Sequence, residues 1–315
     1  MKIFRRVMRW LFIIAGIVVG LLTAVIAIFL KLMVAPPREP ITASPDDLGL
    51  PYENVNFPAH DGLRLSGWFL PTSSTPKNGA TIILVHGWLW NRLGVSATDM
   101  FSNIVGATPV ELLRLAHTLS KDGYNVLMYD MRNHGESAAG GPVTFGRDES
   151  NDLLGALAYL GTRMDVNMEQ IGVIGFSAGA NSLLYTLPQS NLIKAAIAVQ
   201  PSTTSVFNKR FGRDMLGPVS AVVLPLVDAS FQAVGGPAFH EIRPNTAVSH
   251  AGHVPVLYIQ GSGDHWGDPD DVANMAAATP EARGPLFVET TDRYEGYQYL
   301  IENPKIATSF FEQHL

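Results

Sequence analysis

The sequence predicts an α/β domain with a mostly parallel sheet, carried behind one long apolar helix. Three observations predict it. Short apolar runs alternate with segments of helical spacing over about 250 residues, the pattern of strands covered by helices on both faces. Two strand-like runs at the front meet at Asp61-Gly62, a hairpin signal that adds an antiparallel edge. The stretch "QIGVIGFSAGA" (Gln170–Ala180) joins a buried strand to a helix through a serine set between glycines. A chain of 315 residues suits one such domain plus an extension.

The extension comes first. "MKIFRRVMRW" carries Lys2, Arg5, Arg6 and Arg9 and no acid. Trp10 to Leu30 follows, with Thr23 its only polar side chain. At 1.5 Å per residue this run spans roughly 31 Å, about one hydrocarbon core. A cleaved signal would have a shorter apolar region, about 7–15 residues, and a small-x-small site after it. Here Ala35 sits behind Met33, a poor match. The expectation is an uncleaved single-pass anchor over residues 1–34. Its positive flank leaves the N-terminus in the cytoplasm and the rest on the far side. Gly16 and Gly20 have the GxxxG spacing of helix-pairing faces, a pattern that apolar helices with glycine also carry by chance. "APPREPITASPDD" (Ala35–Asp47) reads as a stiff, proline-rich tether over residues 35–49.

Charge divides at the same boundary. The chain holds 22 basic and 28 acidic residues, and five of the basic ones lie in the first 31, which hold no acid. The remainder has 17 against 28, a net of −11. Such a domain is a poor partner for nucleic acid. The absence of cysteine excludes disulfides, a thiol nucleophile, thiolate metal sites and lipidation at cysteine.

The domain, residues 50–315, reads in order as follows. "ENVNFPAHDGLRLSGWFLP" is the front hairpin, and "GATIILVHG" a buried strand. "TPVELLRLAHTLSKDG" has helical spacing and stops at Gly123. "YNVLMYD" is a strand, Glu149 to Leu160 a helix, "QIGVIGF" a strand and "SAGANSLLYTL" a helix. "IKAAIAVQP", "VPVLYIQG" and "GPLFVET" are strands, with Asp270–Ala278 helical between the last two. Ile306–His314 closes the chain as a helix. Two segments break the rhythm. Trp88–Ala107 is a long connection, and Ser202–His250 a larger excursion with the apolar stretch "MLGPVSAVVLPLVDASFQAV". The excursion (about 202–250) is expected to form a cap over the sheet's carboxyl edge. It either buries its own core or faces the bilayer.

Four motifs, each on its element, carry a resemblance. They are "VHGW" (Val85–Trp88), "YDMRNHGES" (Tyr129–Ser137), "GFSAG" (Gly175–Gly179) and "QGSGD" (Gln260–Asp264). In this order they resemble the α/β-hydrolase superfamily, over roughly residues 50–315. The resemblance implies an α/β-hydrolase fold: a mostly parallel sheet with helices on both faces, a cap insertion, and here one N-terminal transmembrane helix. It also implies a nucleophile elbow at Ser177. A strand turning sharply into a helix strains the serine backbone, and only glycine fits at Gly175 and Gly179. The helix end aims free N–H groups at the site, so the N–H of Ala178 suits an oxyanion. A second donor is expected from the loop after Gly87, at Trp88. His86 and His134 are expected to brace loops.

The resemblance places the acid at Asp264 and a histidine base after the last strand, within Val288–Leu300. That stretch has none, and Arg293 and Tyr294 occupy the approximate place. His265 is the candidate substitute, although adjacent side chains in extended chain point apart. Its orienting carboxylate would then be Asp268, which also suits an N-cap before Pro269. Tyr294 or Asp264 acting directly is another route. The cluster Asp264, His265, Asp268, Asp270 and Asp271 lacks any recognised ligand spacing, so no metal and no cofactor are expected. Two functions remain open. One is a membrane-tethered serine hydrolase acting on an ester, thioester or small amide through an acyl-enzyme at Ser177, with a small-molecule or acyl substrate. The other is a non-catalytic binding or scaffold protein of the same fold.

Overall fold

The computed structural model describes residues 2–72, 74, 79–95 and 109–315. In chain order the strands are β1 (Glu53–Pro58), β2 (Arg64–Leu70), β3 (Thr81–Val85), β4 (Gly94–Val95), β5 (Val110–Glu111), β6 (Asn125–Tyr129), β7 (Ile171–Phe176), β8 (Ile193–Val199), β9 (Val256–Gly261) and β10 (Ala282–Val288). The helices are α1 (Lys2–Val34), α2 (Leu112–Lys121), α3 (Ser150–Leu160), α4 (Ala178–Thr186), α5 (Thr204–Leu216), α6 (Ser220–Ala233), α7 (Pro244–Val248), α8 (Pro269–Ala278), α9 (Arg293–Glu302) and α10 (Lys305–His314).

Eight strands form one sheet in the order β1-β2-β6-β3-β7-β8-β9-β10. The front hairpin pairs antiparallel, Val55 opposite Gly67, and β2 also runs antiparallel to β6. The remaining pairs are parallel. The central strands β3, β6 and β7 are buried at every position, which is why they read as unbroken apolar runs. The order reverses at β3, so the carboxyl ends of β3 and β7 open onto the crevice where ligands of such sheets bind. Two apolar cores, one per face, flank the sheet.

The long connection after β3 is described only to Val95 and again from Pro109; its remainder, part of the expected Trp88–Ala107 segment, lies outside the described residues. Between β8 and β9 the chain leaves the sheet as α5, α6 and α7. α9 is not among the expected elements, which place none between the strand ending at Thr290 and the helix starting at Ile306. It starts at a cap: Asp292 accepts the N–H of Glu295, and the Glu295 carboxylate accepts that of Thr291.

The N-terminal extension differs from a free anchor on a tether. α1 is long and apolar enough to cross a membrane. Its last third packs on the domain, and the expected tether lies along the surface. Arg38 donates to the carbonyls of Gly135 and Ser137, and Asn91 donates to that of Pro40.

Candidate active site

The end of β7 delivers Ser177 to the start of α4 with φ 53° and ψ −117°, a conformation that a non-glycine residue adopts only under constraint. The constraint is visible on both sides. The Ser177 N–H donates to Val199 O at 2.9 Å, and its carbonyl accepts from Asn181 N at 3.0 Å. A Cβ on Gly175 would stand 2.5 Å from Gly179 O, and one on Gly179 would stand 2.3 Å from Val85 O. Backbone meets backbone there, so glycine is required at both positions. Ala178 opens α4, at the end where N–H groups lack intrahelical acceptors.

The Gly87–Leu89 loop faces this turn. A Cβ on Gly87 would press into the Trp90 ring at 3.1 Å. Leu89 holds a left-handed φ of 65° and donates its N–H to His134 Nε2 at 3.2 Å. His134 Nδ1 then donates to Arg132 O at 2.8 Å. His86 is bound in the same way: Nε2 accepts from Met131 N at 2.9 Å, and Nδ1 donates to Gly87 O at 2.7 Å. Both rings are buried. Burial pushes His86 down to about 4, and burial with the neighbouring His86 pushes His134 down to about 3. They are neutral braces of the Gly87–Leu89 and Met131–His134 loops.

Asp264 lies beneath the site. Its Oδ1 accepts from Trp266 N at 3.0 Å and Gly267 N at 2.8 Å, and its Oδ2 accepts from Gln260 Nε2 at 3.2 Å. The place between Asp264 and Ser177 is filled by Arg293, the first residue of α9. Arg293 Nη1 donates to Asp264 Oδ2, and Nη2 lies 3.3 Å from Ser177 Oγ and 3.0 Å from Gln200 O. Gln200, at φ 50°, fixes the guanidinium further by donating Nε2 to Arg293 O at 2.6 Å. Tyr297, one turn along α9, lines the same cavity as Ser177 and Arg293.

Electrostatics makes this arginine a permanent cation. Burial alone lowers its pKa, but Asp264 and the nearby Tyr297 outweigh that, and the net shift is upward. Burial pushes the Tyr297 phenol up to about 12, a rise only partly offset by the Arg293 charge. The guanidinium has no lone pair and the neutral phenol is far too weak a base, so neither takes the serine proton at neutral pH.

The expected base is elsewhere. His265 is exposed and lines a groove with Lys209, Arg210 and Asp268, outside the space around Ser177. The physical reason is the alternation of neighbouring side chains: with Asp264 turned inward, His265 faces solvent. Asp268 does not orient His265 toward the serine. It caps α8 by accepting Asp270 N at 3.1 Å, and it pairs with Arg210 at 2.6 Å. Tyr294 is buried in the cavity wall, its phenol raised by burial. The structure thus brings together Ser177, Ala178, Trp88, Gly87, Gly175, Gly179 and Asp264, and leaves His265 out. Arg293, Gln200 and Tyr297 complete the site.

Two small adjoining spaces of about 40 and 20 Å³ touch Ser177, enough for one or two waters. Their walls are aromatic: Trp88, Phe207, Phe211, Trp266 and Tyr294. The indole Nε1 of Trp88 is buried without an acceptor among the described residues. A larger open groove of about 700 Å³, between Leu187 and Val254, lies at the amino ends of β8 and β9, on the opposite edge of the sheet from Ser177.

Fold, elbow and acid loop together define a protein built on the α/β-hydrolase plan. The chain belongs to the alpha/beta hydrolase family, whose pattern it matches over residues 82–314. It is similar to the uncharacterized protein YfhR of Salmonella typhi, 28% identical over 255 residues, which cover 78% of this chain and 75% of that one. It is also similar to the uncharacterized protein YqkD of Bacillus subtilis, 25% identical over 257 residues, 81% of this chain and 72% of the other. The Pyrococcus furiosus esterase Pf2001 superposes with a TM-score of 0.67 at 22% identity, over 90% of this chain and 98% of its own. That likeness shows the fold.

Proposed function

We propose that this is a membrane-tethered α/β-hydrolase-fold protein whose Ser177 site binds the carboxylate or acyl carbonyl of an apolar small molecule without turning it over. One observation carries the reading: Arg293 stands between Asp264 and Ser177, where a general base is needed. A guanidinium that Asp264 keeps protonated donates to the serine oxygen and takes no proton from it. The remaining features suit a bound oxyanion. The positive end of α4, the N–H groups of Ala178 and Trp88 and the Nη2 edge of Arg293 are donors around Ser177, and the walls are apolar. The present spaces are smaller than such a ligand, so its entry displaces the cap segment, residues 202–250, and α5 with it. In this reading α1 anchors the chain, residues 1–34, with the N-terminus cytoplasmic. Residues 35–49 connect it to a domain, 50–315, on the far side.

A second reading has one observation in its favour. The strained Ser177 turn and its glycine cradle are intact, at a cost of order 1–3 kcal/mol. It makes the protein a serine hydrolase of esters, thioesters or small amides, with Ala178 and Trp88 holding the oxyanion. Without a base, its acylation rests on the oxyanion donors alone and is slow.

The two separate in one experiment on the full chain in detergent. Under the binding reading, octanoate raises the melting temperature of wild type but not of Arg293→Gln. A fluorophosphonate probe then labels neither wild type nor Ser177→Ala within an hour. Labelling within the hour that requires Ser177, however slow, with no octanoate shift, establishes the second reading instead.

A further inference from the structure

α1 and α6 are packed together. Leu22, Val25, Ile26, Phe29 and Leu30, spaced three and four residues apart, form one stripe of α1. They pack on the cluster that contains Val223, Val227 and Phe231 of α6. Earlier in α1 the large apolar side chains, from Ile3 to Leu21, are mostly exposed. The depth of this contact follows from the charges. Arg5, Arg6 and Arg9 belong at the inner headgroups, so hydrocarbon starts near Trp10. About 20 residues cross it, which puts the outer boundary near Phe29 or Leu30, where Lys31 follows. Tilt lengthens the span, and snorkelling arginines shift it by only a turn or so. Leu22–Phe29 therefore lies at hydrocarbon depth, and whatever packs on it lies there too.

α6 is built for that setting. Its sequence, SAVVLPLVDASFQA, has one charge, Asp228, and that carboxylate accepts the N–H of Phe239 at 3.0 Å. The side turned away from the protein is apolar: Val222 is 58% and Leu226 44% exposed, with Val219 beyond them at 51%. In water such a face on a helix already buried on its other side is a liability. Beside a membrane span it is not.

We propose that α6 lies within the outer half of the same bilayer that α1 crosses, with Val222 and Leu226 against lipid chains. The inference rests on the anchoring of α1 and adds the cap to the membrane. It ties the membrane to the site. Phe29 of α1 meets Phe211 of α5 edge-on at 6.1 Å, Phe211 stacks on Phe207 at 5.5 Å, and both α5 rings wall the Ser177 cavity.

The chain has no cysteine, so single labels carry no background. Ile14→Cys, Val222→Cys and Met164→Cys variants of the full chain are labelled with an environment-sensitive nitrobenzoxadiazole dye. They are reconstituted in phosphatidylcholine vesicles with and without 5-doxyl lipid. Met164 is fully exposed on the domain and serves as the aqueous reference. The expected result is quenching of at least about twofold at positions 14 and 222 and none at 164. Quenching at 14 with none at 222 overturns the proposal while leaving the anchor in place. A blue-shifted but unquenched label at 222 means that a second copy, not lipid, covers α6, and also overturns it. No quenching at 14 rejects the anchor itself, and the seating of α6 with it.

Discussion

Arg293 Nη2 lies 3.3 Å from Ser177 Oγ, while Nη1 of the same guanidinium is bound to Asp264. A cation thus bridges a nucleophile-like hydroxyl and an acid, in the gap that an imidazole must fill for acyl transfer. Its consequences are testable at the chemistry, in the stability of the buried pair, and in the turn that carries the serine.

Replacing Arg293 with histidine supplies the missing lone pair above Asp264. Labelling of Ser177 by a fluorophosphonate is expected to rise at least about tenfold, toward the 10²–10⁴ range of a well-placed general base. The measurement is the labelling rate of Arg293→His against wild type and Arg293→His/Ser177→Ala. An unchanged rate means that more than the base is lacking.

Removing the cation leaves Asp264 buried with three neutral donors. Arg293→Leu is expected to cost about 3 kcal/mol of stability, the lower end for a broken buried pair. Arg293→Leu/Asp264→Asn should recover part of it. Urea unfolding of both variants checks the ordering.

The elbow has no room for a methyl group. Gly179→Ala places a Cβ against Val85 O and His86 O, and both are backbone atoms that cannot turn aside. A loss of about 2–4 kcal/mol is expected. Gly62→Ala, in the front hairpin at φ 88° with open space around it, meets only backbone strain and should cost less. Thermal melting of the pair measures the difference.

His86 and His134 are buried neutral, at about 4 and about 3, below the ordinary imidazole value of 6.5. Their folded pKa values lie under the unfolded ones, so the unfolded chain binds more protons below pH 6.5. Stability from these two groups is complete above that pH and falls as pH drops toward 4, by a few kcal/mol. Urea midpoints at pH 7.5 and pH 4.5 should show the loss. The change should be smaller in His134→Gln, whose amide keeps one donor and one acceptor.

The fold was legible because buried parallel strands announce themselves: β3, β6 and β7 are apolar at nearly every position, and each precedes a loop motif. The braces were legible too, since His86 and His134 sit in the motifs that hold them. α9 was missed although Asp292 and Glu295 carry a capping signal, because its run of Tyr294, Tyr297 and Tyr299 has little helical stripe to read.

By itself the sequence determined the sheet, the glycine-flanked turn at Ser177 and the absence of a histidine between Val288 and Leu300, since each is a local matter of apolar runs, glycine sterics and residue identity. Only the tertiary structure decided what fills the gap and what the cap rests on. Arg293 is 116 residues from Ser177, and α6 is nearly 200 from α1. Contacts across such separations depend on where α9 and the cap land on the sheet, and no local pattern encodes that. The alternation that faces Asp264 inward turns His265 out, and this too is fixed only when the loop is seated against β9 and α9.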